Sequence, residues 1–68
     1  TTKDYKNAIS NYDIAIELNS RLAEAYYNRG IAKIFVSDIR GGLKDLGKAG
    51  ELGIYDAYAL MKKYSVTK

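Results

Sequence analysis

A shift of 34 residues along the chain lays Tyr5 on Ile39, Ala8 on Gly42, Tyr12 on Leu46, Ala15 on Ala49 and Leu18 on Leu52. The same register continues with Ala25 on Ala59, Tyr26 on Leu60 and Tyr27 on Met61. Small residues fall on small ones and large apolar residues on large ones, so the chain reads as one packing unit used repeatedly. Small side chains mark places where helices approach closely, and large ones fill the space beside them. Inside each unit the spacing is helical: Tyr5, Ala8, Ile9, Tyr12, Ala15, Ile16 and Leu18 recur mostly at three- and four-residue steps, and strand alternation is absent.

Four helices are predicted, over residues 4–18, from about 21 to 36, over 39–52 and from 57 to about 64. Ser20 is expected to cap the second helix, Ser37 and Asp38 to stop and restart the chain, Gly53 to close the third helix in a left-handed conformation, and Asp56 to cap the fourth. Residues 65–68 are expected to fray. The short links imply antiparallel packing of sequential neighbours.

With 68 residues, 47% hydrophobic and 28% charged, the chain has the composition of a single small globular domain. A core of this size supplies only a few kcal/mol, roughly 3–5 at most, so a disulfide, a metal or neighbours are needed. With no Cys and no His, the first two are closed, and thiol and imidazole catalysis go with them. No cofactor and no enzymatic activity are therefore expected. No apolar run approaches the ~20 residues of a membrane span, and no signal peptide is visible. The chain opens at Thr1 without an initiator Met, which suits a processed chain or a piece of a longer protein; cytoplasmic placement is the default expectation.

The second and third helices resemble the tetratricopeptide repeat. Tyr26 stands for its opening aromatic, Gly30 for its glycine, Gly42 for the small residue of the outer helix, Leu46 for that helix's aromatic and Ala49 for the next small residue. The resemblance implies an all-α, right-handed superhelix of antiparallel helix pairs. The outer helix of a preceding repeat would be 4–18, a full repeat 21–54, and a half repeat or capping helix 56–65. Arg29 stands where Leu is usual, Lys33 where an aromatic is, Ser37 where a turn glycine is and Ile54 where a closing Pro is. Gly41 and Gly42 together are expected to weaken the start of the third helix.

The family's mode of action implies a non-catalytic module that binds a peptide segment or partner helix in a concave groove lined by the first helix of each pair. That selects Glu24, Tyr27, Asn28, Ile31, Ile34 and Phe35, and one period later Tyr58, Met61 and Lys62. Asn28 and Lys62 are similar to residues that hold a terminal carboxylate in clamp members of the family. Tyr58 replaces another expected cation, and Tyr27, Ile31 and Phe35 favour an apolar side chain. Since the first helix should expose Ala8, Tyr12 and Ala15, self-association or further repeats of a longer array are expected as partners.

Other constellations point elsewhere more weakly. The segment from Gly42 to Gly47-Lys48-Ala49 imitates a phosphate-binding loop, but Ala49 lacks the hydroxyl that would hold Mg²⁺, and the register puts the segment on a helix. Asp13 and Glu17 offer too few ligands for a metal. The net charge of +3 supports an alternative, RNA or other nucleic-acid binding through Arg29, Lys33, Lys62 and Lys63 beside Tyr residues. Most Tyr residues, including Tyr5, Tyr12, Tyr26 and Tyr58, fall on packing positions instead. The row Arg40, Lys44 and Lys48 shares its helix with Asp45 and Glu51 and reads as solvated.

Overall fold

Thr1 and Asp4 form a reciprocal cap in which the Thr1 hydroxyl accepts from the Asp4 amide at 3.2 Å, so the first helix begins earlier than periodicity alone suggests. A computed structural model describes residues 1–65 as four helices in chain order: α1 (Thr2–Leu18), α2 (Ala23–Phe35), α3 (Ile39–Glu51) and α4 (Asp56–Ser65). The expected fraying beyond Ser65 lies outside the described residues. Each helix packs on the next, α1 on α2, α2 on α3 and α3 on α4, within a slab of 37 × 29 × 14 Å. The fold is all-α, with no strand among the described residues. No described helix is long and apolar enough to cross a membrane.

The two internal stops share one geometry. After α2, the Ser37 amide donates to the Ile34 carbonyl at 3.0 Å and the Asp38 amide to the Lys33 carbonyl at 2.8 Å. After α3, the Gly53 amide donates to the Gly50 carbonyl at 3.1 Å and the Ile54 amide to the Ala49 carbonyl at 3.0 Å. Both are Schellman closures, which need a left-handed residue at the pivot. Gly53 supplies it at φ 119°, as expected, whereas Ser37 adopts φ 74° with a β-carbon in place, at a cost of about 1–2 kcal/mol. Asp38 then restarts the chain, its carboxylate accepting from the Gly41 amide at 3.0 Å. That cap helps keep α3 regular from Ile39 despite the paired glycines. Ser20 does not cap α2: the cap position is Leu22, without a side-chain bond, and Ser20 instead offers its carbonyl to the Tyr26 hydroxyl at 2.9 Å.

The core is small and sits between α2, α3 and α4. Ile34, Leu46, Ala49 and Ala57 are buried, surrounded by Tyr26, Tyr27, Ile31, Ile54, Leu60, Met61 and Tyr64. Backbone crosses backbone where Gly30 meets Gly42. A β-carbon at Gly42 would lie 2.6 Å from the Gly30 carbonyl oxygen, and one at Gly30 would lie 2.8 Å from that of Gly42. Gly42 is a small position of the 34-residue register and Gly30 is the glycine of the repeat resemblance, and the role of both is close approach.

The apolar face of α1 differs from expectation. Ala8, Tyr12 and Ala15 are half-buried, because they lie on the side turned to α2. The most open of its large apolar residues are Ile14, 57% exposed, and Leu18, 83% exposed, and no residue of α1 is fully buried.

Candidate functional site

Helix α2 is packed from two sides, and this arrangement sets the accessible surface. Gly30 and Ile34 face α3, while Ala25 and Ala32, buried outside the α3 cluster, form a second edge where α1 packs. At about 100° per residue, Glu24, Tyr27, Asn28, Ile31 and Phe35 occupy the arc between those edges. Glu24 and Asn28 are exposed, and Tyr27 and Ile31 are half-buried against the core. Phe35 is 51% exposed, with its ring stacked on Tyr5 of α1 at a centroid distance of 5.1 Å. Five of the six expected α2 residues therefore share one accessible strip. Ile34 does not belong to it: at 8% exposure it is core, its Cγ1 lying against the Gly30–Gly42 crossing, and it offers no surface to a ligand.

On α4, Lys62 is exposed, Tyr58 lies across Gly50 and Met61 lies beside Gly47. A β-carbon at Gly50 would come 2.5 Å from the Tyr58 ring. Both α4 side chains thus lean on α3. Tyr5 and Tyr58, expected at packing positions, both remain partly open.

On the opposite arc of α2 the residues that depart from the repeat pattern are joined by charge. The Arg29 guanidinium donates from Nε to Asp45 Oδ2 at 2.7 Å and from Nη2 to Asp45 Oδ1 at 2.8 Å, a two-pronged pair. Its Nη1 donates to Asp13 of α1 at 2.8 Å, and Lys33 Nζ lies 3.1 Å from Asp45 Oδ2. The hydrogen bonds to Asp45 raise the Arg29 pKa above its already high ordinary value, against the opposing pull of burial, with Asp13 assisting. One guanidinium therefore ties α1, α2 and α3 together. Although Asp45 shares its helix with the exposed row Arg40, Lys44 and Lys48, its side chain is 6% exposed. Arg29 and Lys33 are held by carboxylates, so of the four cations proposed for nucleic acid only Lys62 and Lys63 remain without an ion pair among the described residues.

A shallow cleft of about 400 Å³ opens over α3, with Leu43, Gly47 and Met61 in its lining beside Tyr26 and Arg29, and with Lys44, Lys48 and Glu51 exposed around it. Of the residues expected to bind a partner only Met61 lines it. Sequence reasoning placed Lys44 and Lys48 on one row but had no signal that a cavity lay beneath them. The phosphate-loop imitation is settled by its conformation: Gly42 to Ala49 lie inside α3, where the backbone follows the helix rather than cradling an anion. No cluster of metal-ligating side chains occurs among the described residues.

Comparison with known proteins agrees with this architecture. A family model described as TPR repeat matches residues 2–33, which span α1, the first turn and most of α2. The RNA polymerase II-associated protein 3 of Xenopus tropicalis is 38% identical over 52 residues, 76% of this chain but 8% of that protein. The chain thus spans under a tenth of that relative. No solved structure matches significantly. With the 34-residue register, the Gly30–Gly42 crossing and four sequentially packed helices, the matching residues show that this chain belongs to the tetratricopeptide repeat family.

Proposed function

We propose that the chain is a non-catalytic protein-interaction module that holds a peptide segment or a helix of another protein along the accessible strip of α2. Repeats of this family are in general protein-interaction modules and typically non-catalytic. The observation that carries the finer reading is the strip itself: Tyr27 and Ile31, half-buried with their inner sides against the core, flanked by the exposed polar Glu24 and Asn28. A firm apolar strip with polar borders is the surface that an apolar side chain of a peptide recognises. Tyr58, Met61 and Lys62 extend it at the corresponding positions of α4, with Asn28 and Lys62 able to meet a carboxylate. In this reading 21–54 is a full repeat, flanked by the halves 4–18 and 56–65. The relative's name states an association with RNA polymerase II, which also favours a protein partner.

The test is affinity capture of partners from cell extract, followed by binding measurements on the partner peptide identified. Ile31→Glu puts a charge on the half-buried strip and is expected to weaken binding at least about tenfold, the equivalent of ~1.4 kcal/mol, while circular dichroism shows the helices intact. Unchanged binding in a folded Ile31→Glu variant would remove α2 from the site.

A second reading concerns α1, whose Ile14 and Leu18 are exposed. This pair suits contact with a second copy or with a further repeat. Multi-angle light scattering at rising concentration is expected to show dimers that Leu18→Glu abolishes; a constant monomer mass would end the self-association reading.

A further inference from the structure

We infer that the cleft over α3 is a second docking site, for a peptide segment of a partner protein in which an apolar side chain lies next to carboxylates. The inference rests on the reading of the chain as a protein-interaction module, and of the residues proposed above for the α2 strip and its extension the cleft shares only Met61. Three observations converge on that occupant. Leu43, Tyr26 and Met61 give the lining apolar surface, and Gly47 contributes no side chain, which leaves room for an incoming one. Lys44 and Lys48, one helical turn apart and both exposed, make no ion pair among the described residues. The local carboxylate Asp45 is already held by Arg29 and Lys33. A ligand carboxylate therefore meets two unengaged ammonium groups and only Glu51 in opposition.

The other occupants fit less well. Small-molecule sites enclose most of their ligand, and this cleft is open. A nucleic-acid track neutralises several phosphates, whereas the cleft offers two free cations beside a carboxylate over an apolar floor.

The probe is the peptide acetyl-Gly-Leu-Glu-Glu-Leu-Glu-Gly-amide, titrated to millimolar concentration while amide NMR signals of the chain are followed, with a Gln-for-Glu counterpart and a single-stranded oligonucleotide as comparators. Shifts are expected to cluster at Leu43, Gly47, Lys48 and Met61, and the Gln peptide is expected to bind at least about fivefold more weakly. The double variant Lys44→Glu/Lys48→Glu should raise the dissociation constant at least about tenfold, because two exposed attractions become repulsions. Gly47→Leu, which fills the floor beside Met61, is expected to abolish the shifts; the ligand-free spectrum of each variant reports whether the fold is kept. Shifts confined to Tyr27, Asn28 and Ile31 would overturn the second site and leave the α2 reading standing. The same would follow from tighter, steeply salt-dependent binding of the oligonucleotide at the cleft, or from no shift at all.

Discussion

Gly42→Ala is expected to lower the thermal midpoint by about 8–16 °C, the equivalent of ~2 kcal/mol in a domain of this size. The added β-carbon would meet the Gly30 carbonyl oxygen and Ile34 Cγ1, each at 2.6 Å, well inside van der Waals contact. A backbone oxygen cannot rotate away, so relief requires α2 and α3 to separate, opening the contact around fully buried Leu46. Overpacking against a backbone oxygen that cannot rotate away sits at the upper end of the usual range, about 3 kcal/mol, and the better helix propensity of Ala returns only ~1 kcal/mol. Gly47→Ala is the control on the same helix. Its β-carbon would sit 3.4 Å from Met61 Cε, an ordinary contact, so the propensity gain dominates and the midpoint should rise by a few degrees, about 0.5–1 kcal/mol. Thermal melts followed by circular dichroism decide the matter. If both substitutions move the midpoint in the same direction, the glycine crossing is not what sets the approach of α2 and α3.

Asp45→Ala is expected to cost about 3 kcal/mol, because it strands a guanidinium that is mostly withdrawn from water. Arg29 is 17% exposed and would keep only Asp13. Asp13 is 55% exposed, so its share of the network is that of a surface pair, and Asp13→Asn should cost less than ~1 kcal/mol. Arg29→Leu restores the residue usual in the resembling repeats but leaves Asp45 facing Lys33 alone, and it too should destabilise. The double variant Arg29→Leu/Asp45→Ala removes both charges together. It is expected to lie closer to the native protein than the sum of the single losses, with a coupling of at least ~1.5 kcal/mol. Urea unfolding of the four proteins measures this directly; additive losses would mean that the two groups do not act as a pair.

Much of this fold is visible along the chain because its determinants are local or periodic. The stops after α2 and α3 follow from residues adjacent to them, and the register marks Gly42 as a small position, while its meeting with Gly30 is seen only in the packed helices. The Thr1–Asp4 cap was also available as a sequence signal, Thr followed by an acidic residue at the third position, though periodicity alone starts the helix later. The α2 strip was legible except for Ile34. A residue at the seam between an exposed arc and a packed edge can belong to either, and the α3 backbone, drawn close by two glycines, decides which.

The sequence by itself determined that the chain forms four helices, that its small residues mark contacts and that thiol and imidazole chemistry are closed to it, since each follows from spacing or from a residue type that is missing. Only the tertiary structure decided that Asp45 is a buried partner rather than a surface charge. Its immediate neighbours Lys44, Lys48 and Glu51 mark a solvated helix, and the cations that draw it inward, Arg29 and Lys33, come from another helix. Burial of a charge depends on what is brought to it through space, and a periodicity of apolar residues carries no record of that pairing.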